Sequence, residues 1–177
     1  PDICILGKTL GNGYAINAVL SKKDLSINAE KSFISSTFWT ERIGPTAALK
    51  TLEIMGKERS WEKITEKGIK LRKIWLEIAN QNNLEINLFG LNALSGFSFK
   101  SNLNREYKTL ITQEMLKKGF LASNICYLST AHKEEVFESY SKNLNEVFKL
   151  ISKCENGYNV NKLIENPLCH TGFERLN

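Results

Sequence analysis

The stretch that most restricts how this chain can fold is its first fourteen residues, Pro1 to Tyr14. Four apolar residues in a row, Ile3 to Leu6, stand between Pro1-Asp2 and Gly7. A short uninterrupted apolar run of this kind predicts a strand buried on both faces. Lys8 follows its end, and Gly7, Gly11 and Gly13 then allow tight turning and close approach of the backbone, so the lysine stands at the mouth of a cleft. An ammonium at the end of a buried strand loses part of its hydration, which frees the neutral amine to act as a Schiff-base nucleophile. The competing reading is a solvated lysine capping a strand. A P-loop is excluded, because that motif needs a glycine five positions before the Gly7-Lys8 pair and Asp2 is there instead. Asn12-Gly13 by itself suggests a hairpin turn, but the polar, glycine-rich segment from Gly7 to Gly13 is too long for a two-residue turn.

Two further stretches accompany this one: Ser35-Ser36-Thr37-Phe38-Trp39-Thr40-Glu41, and Gly44-Pro45-Thr46-Ala47-Ala48-Leu49-Lys50-Thr51-Leu52-Glu53. A third, His170-Thr171-Gly172-Phe173, lies near the end. Three hydroxyls ahead of a helix are compatible with an anion site or with ordinary N-capping by Thr37 or Thr40, and spacing leaves both open. In this order, the segments resemble the lysine region of class III (subgroup II) aminotransferases, pyridoxal-phosphate enzymes, and most nearly their glutamate-1-semialdehyde aminomutase-like branch. The resemblance implies that Lys8 forms the Schiff base with pyridoxal 5'-phosphate. It implies that Thr37 reaches the cofactor phosphate of a neighbouring subunit, with Ser36 a weaker accompaniment, so that the protein is a homodimer acting on small amino and keto substrates. It also implies a preceding amino-terminal part holding the other cofactor contacts. Phe38-Trp39-Thr40-Glu41 departs from the serine-glycine-asparagine run common in that branch, which bears on substrate identity. A substrate carboxylate calls for an arginine fork, for which Arg42, Arg105 and Arg175 are candidates that spacing does not separate. The tail around His170 is expected to fold back towards the site.

Bulk properties exclude other classes. With 24 Lys+Arg against 19 Asp+Glu in 177 residues, the formal charge is +5, and it is spread along helices as in Lys22-Lys23 and Lys117-Lys118. Solvated faces account for it better than a nucleic-acid patch. No apolar run of membrane-spanning length and no signal-peptide pattern is present, so a cytoplasmic protein is expected. Cys4, Cys126, Cys154 and Cys169 show no paired spacing, and with His132 and His170 they suggest neither a metal site nor a disulfide framework.

Along the chain, Ala15 to Leu20 reads as a second strand, Asp24 to Ala29 as a short helical connection and Phe33-Ile34 as a brief strand. A helix is predicted from Arg42 to Met55, with Pro45 in its first turn and Gly56 as its stop. Ser60 to Asn82 carries Trp61, Ile64, Gly68, Leu71, Trp75 and Ile78 at helical spacing, one buried stripe. Ile86 to Phe89 and Leu94 to Phe99 read as antiparallel strands, Arg105 to Lys118 as a helix stopped by Gly119, and Phe120 to Ala122 and Cys126 to Leu128 as short strands. Lys133 to Glu155 is the last helix, with Val136, Phe137, Tyr140, Leu144, Val147, Phe148 and Ile151 in its apolar line.

The fold class expected is α/β: residues 1–58 as the end of the large domain of a fold type I pyridoxal-phosphate transferase, residues 59–177 as a smaller α+β carboxy-terminal domain. The activity expected is amino-group transfer through Lys8. The rivals are aminomutase-type isomerisation with the same cofactor, and a non-catalytic dimerisation module.

Overall fold

A computed structural model of the chain describes residues 1–170 and Gly172, so Thr171, Phe173 and Arg175 lie outside the described residues. The chain divides into two compact units, Pro1–Ser60 and Trp61–Asn177.

In the first unit, β1 (Ile3–Leu6) pairs antiparallel with β2 (Ala18–Ser21), with Ile3 opposite Ser21 and Leu6 opposite Ala18. The loop that joins them is the glycine-rich lysine segment. Then come α1 (Lys23–Glu30), an irregular stretch, and α2 (Ile43–Glu58). The expected double burial of β1 does not occur: Ile3, Ile5 and Leu6 are all exposed, because a two-stranded ribbon has no second layer in these residues to cover either face. Phe33-Ile34 forms no strand, as two apolar residues without a paired partner make no ladder. Gly56 does not stop α2; the helix passes through it and ends at Glu58, where Arg59 takes the left-handed conformation (φ 50°) and its amide bonds back to the Met55 carbonyl. A mid-helix glycine weakens a helix by about 1 kcal/mol relative to alanine, which is too little to end one.

The second unit is an α+β layer. Helix α3 (Ser60–Gln81) leads to the hairpin β3 (Ile86–Leu91) and β4 (Leu94–Phe99), followed by α4 (Asn104–Lys117), β5 (Ile125–Tyr127) and α5 (Glu134–Glu155). The sheet order is β3-β4-β5, antiparallel throughout, with β4 in the middle. Phe120 to Ala122 forms no strand, and only the segment from Ile125 finds the free edge of β4.

The core sits between this sheet and the helices. Alternation along β4 turns Phe97 and Phe99 inward, where they meet Trp75 of α3, Tyr107 of α4 and Phe148 of α5. Ring centroids lie 4.8 Å apart for Trp75–Phe97 and 5.3 Å for both Phe99–Tyr107 and Phe99–Phe148, tilted or edge-on as ring quadrupoles prefer. Leu110, Ile111, Met115, Leu144, Val147 and Ile151 close the remainder. Polar groups buried here are paired: Asn82 Nδ2 donates to the Ile78 carbonyl and to Asn145 Oδ1, both at 2.7 Å, joining α3 to α5.

On the predicted α3 stripe, Leu71, Trp75 and Ile78 are buried as periodicity requires, whereas Trp61 at the helix start is exposed. Gly68 has a steric role: a Cβ there would stand 1.9 Å from the Asn92 carbonyl oxygen, so the β3–β4 turn can lie directly on the helix only against a bare backbone.

Candidate active site

The lysine loop is built by tight local bonds. After β1, Lys8–Leu10 makes one 3₁₀ turn; the Leu10 amide donates to the Gly7 carbonyl and the Asn12 amide to the carbonyls of Lys8 and Thr9. Lys8 itself has φ 48°, in the left-handed region that a side chain seldom occupies. Such a conformation costs roughly 1–3 kcal/mol and persists only where the surroundings impose it, which is why outliers of this kind gather at functional sites. Two glycines make the turn feasible in different ways. A Cβ on Gly11 would meet the Tyr14 carbonyl oxygen at 2.1 Å, and Gly13 adopts φ 107°.

Lys8 lines a cavity of about 600 Å³ within the first unit, together with Tyr14 to Asn17, Ser36, Phe38, Trp39, Glu41 and the start of α2 at Gly44-Pro45. That volume lies in the range of small-molecule sites. Two of the linings carry charge, the Lys8 ammonium and the Glu41 carboxylate, and two are aromatic side chains placed side by side in sequence. The start of α2 is held close to the loop, since a Cβ on Gly44 would come within 2.9 Å of the Ala15 carbonyl oxygen. Lys8 is exposed in this arrangement, so the desolvation expected from a buried strand is not supplied by the described residues.

The hydroxyl segment is arranged otherwise than its spacing suggested. Ser36 Oγ accepts from the Phe38 amide at 3.3 Å, and residues 37–40 form a turn. Helix α2 begins only at Ile43, with Arg42 as its flanking residue and no side chain capping it, so neither Thr37 nor Thr40 is an N-cap and the three hydroxyls do not crown the helix. Ser36 lines the Lys8 cavity and Thr37 is exposed outside its lining. Glu41, Trp39 and Asn17 are wall residues that sequence reasoning did not select. The signal for the first two was the Phe38 to Glu41 departure itself.

Of the arginines, Arg42 flanks α2, and Arg105 Nε donates to the Cys169 carbonyl at 2.6 Å. The Cys169 amide donates in turn to Thr109 Oγ1 at 3.0 Å, so the chain before His170 is pinned along α4. Arg175 lies outside the described residues, and so do Thr171 and Phe173 of the tail motif. All four cysteines are free thiols, and no group of three His, Cys, Asp or Glu side chains suited to a metal occurs among the described residues. No helix of the described residues is long and apolar enough to cross a membrane.

This architecture has solved counterparts. It superposes on the PLP internal aldimine form of the FumI protein of Sphingopyxis sp. MTA144 with a TM-score of 0.80 at 22% identity, covering 90% of this chain and 39% of that one. An S-selective transaminase from Arthrobacter sp. gives a TM-score of 0.74 at 18% identity, covering 88% and 40%. The fold is therefore that of part of a fold type I transaminase. The family model for class-III aminotransferases matches residues 1–151, and the chain belongs to that family. Among curated relatives, it is 30% identical over 164 residues to a 3-aminobutyryl-CoA aminotransferase of Cloacimonas acidaminovorans (strain Evry), covering 85% of this chain and 39% of that protein. It is also 30% identical over 152 residues to a glutamate-1-semialdehyde 2,1-aminomutase of Sulfolobus acidocaldarius, covering 80% of this chain and 36% of that protein. The chain thus spans well under half the length of the relatives it matches.

Proposed function

We propose that the whole protein transfers amino groups between small amino and keto or aldehyde substrates, with pyridoxal 5'-phosphate held covalently by Lys8. The observation that carries this reading is the Lys8 backbone, held at φ 48° on the wall of a ligand-sized cavity in a chain of this family. The residues present fit the cofactor: a primary amine for its aldehyde, a cavity of adequate size, and a hydroxyl at Ser36 able to donate to a phosphate. The relatives' names and the cofactor named with the FumI structure support the same reading.

When bound, the cofactor supplies an electron sink for charge developing at the substrate carbon. Lys8 Nζ would hold the cofactor through its aldehyde and, as a free amine, would carry the proton to and from the substrate carbon as general base and acid. Gly11 and Gly13 keep the loop in the shape that presents this amine. Thr37, which lies outside the lining of its own chain's cavity, would hold the cofactor phosphate of a neighbouring subunit in a homodimer. Residues 1–58 then form the end of the large domain and residues 59–177 the small domain of a cytoplasmic enzyme.

Isomerisation of an amino aldehyde is the second reading, favoured by the aminomutase relative. Both use Lys8, and an assay of glutamate-1-semialdehyde beside a panel of keto acids separates them. Hydride reduction of the whole protein with added cofactor, followed by peptide mapping, is expected to leave the label on Lys8. A label on another lysine overturns the assignment, and no labelling at all favours a non-catalytic dimerisation module.

A further inference from the structure

A separate cavity of about 560 Å³ opens within the second unit, where the irregular segment between α4 and β5 passes over α5. Leu71, Phe120, Cys126, Val136, Phe137 and Tyr140 make its apolar lining. Among the described residues its polar lining carries one formal charge, that of Lys108, beside the uncharged Ser123 and Asn124. Lys108 and His132 belong to it, and no aspartate or glutamate does among the described residues. Lys108 has no ion-pair partner among the described residues, unlike Lys70 and Lys117, which are paired with Glu134 and with Glu114 and Glu165. His132 Nδ1 accepts the Ser129 amide at 3.2 Å, which assigns the proton of the neutral ring to Nε2 and makes that nitrogen a donor. Burial, followed by the Lys67 charge, pulls the His132 pKa down, so the ring stays neutral. Tyr140 accepts from Trp75 Nε1 at 3.0 Å and keeps its own hydroxyl proton to give. The lining therefore offers donors, one cation and apolar surface, with no anion to repel a negative ligand.

We propose that this cavity is a binding site for a small carboxylate with an apolar body, the body lying against Phe120 and Phe137 and the carboxylate facing Lys108 and His132. A pocket of this size with a few convergent polar groups is the form small-molecule sites take. The charge complementarity selects an anion over a cation or a neutral chain of equal length. This site shares no residue with the Lys8 cavity, and its test needs neither cofactor nor activity.

Octanoate, octylamine and octanol are titrated into the methyl-labelled whole protein, with shifts read at Ile125 and Val136 and, as internal controls, at Ile3, Ile5 and Val19 of the first unit. Octanoate is expected to move the Ile125 and Val136 signals saturably, and Lys108→Glu to weaken it about tenfold, one attraction having become a repulsion near the protein surface. Octylamine or octanol binding as tightly as octanoate overturns the proposal. So does an unchanged octanoate affinity in Lys108→Glu, or movement confined to the first-unit methyls.

Discussion

The two units solve the same problem of burial in opposite ways. In Trp61–Asn177, a single cluster of aromatic and aliphatic side chains closes on itself, with Trp75, Phe97, Tyr107 and Phe148 all at 0% exposure. In Pro1–Ser60, the buried residues are Gly11, Gly44 and Ala48, all small, while Phe33 is 96% exposed and Trp39 68%. Hydrophobic stabilisation scales with apolar area removed from water, so the second unit has a source of stability in its own residues that the first lacks. The first unit is shaped instead by backbone constraints: glycines, a strained lysine and short-range hydrogen bonds. The candidate site and the main hydrophobic core thus lie in different units of the chain.

Lys8→Ala probes that separation most severely. In the whole protein, amino transfer should fall by about 10³-fold, while the thermal unfolding of the chain stays where it was. A large loss of stability would mean that the lysine serves the fold. Next in size, Trp75→Ala should cost about 3–5 kcal/mol in denaturant unfolding, against about 0.5 kcal/mol or less for Phe33→Ala. Equal losses at the two positions would erase the contrast between the units. Gly11→Ala should cost about 1–3 kcal/mol, because its Cβ would collide with the Tyr14 carbonyl and the Ile16 side chain, and should also lower cofactor loading by distorting the loop.

The smallest effect concerns pH. His132 is held neutral in the folded chain by burial and the Lys67 charge, and it lies edge-on to Phe137 at 6.3 Å. As pH falls below the ordinary histidine value of 6.5, the unfolded chain takes up a proton there before the folded one does, and stability declines until the folded group also protonates. The decline should be the smallest of these effects, because the ring is only partly buried. It should vanish in His132→Gln, measured as unfolding midpoint against pH.

Much of the fold was legible because helical and strand periods are local. The stripe of Leu71, Trp75 and Ile78, the alternation of Phe97 and Phe99, and the stop at Gly119 (φ 83°) all follow from spacing and backbone freedom. Phe33-Ile34 and Phe120 to Ala122 misled for one reason: a strand exists only if a partner edge is available, and composition does not reveal that. At the candidate site, the turning of the loop around Lys8 was legible from its glycines. Glu41 and Asn17 were not, because a cavity wall gathers side chains from separate segments.

By itself, the sequence determined the helices and the β3–β4 hairpin of the second unit, the class of its core and the turns of the lysine loop, since each depends on residues within a few positions of one another. Only the tertiary structure decided that β1 would be exposed, that Ser36 and not Thr37 would line the cavity with Lys8, and that Gly68 would be the seat of a hairpin turn. Those outcomes depend on which distant backbones come within a few ångströms, and close packing sets that only when the whole chain has folded.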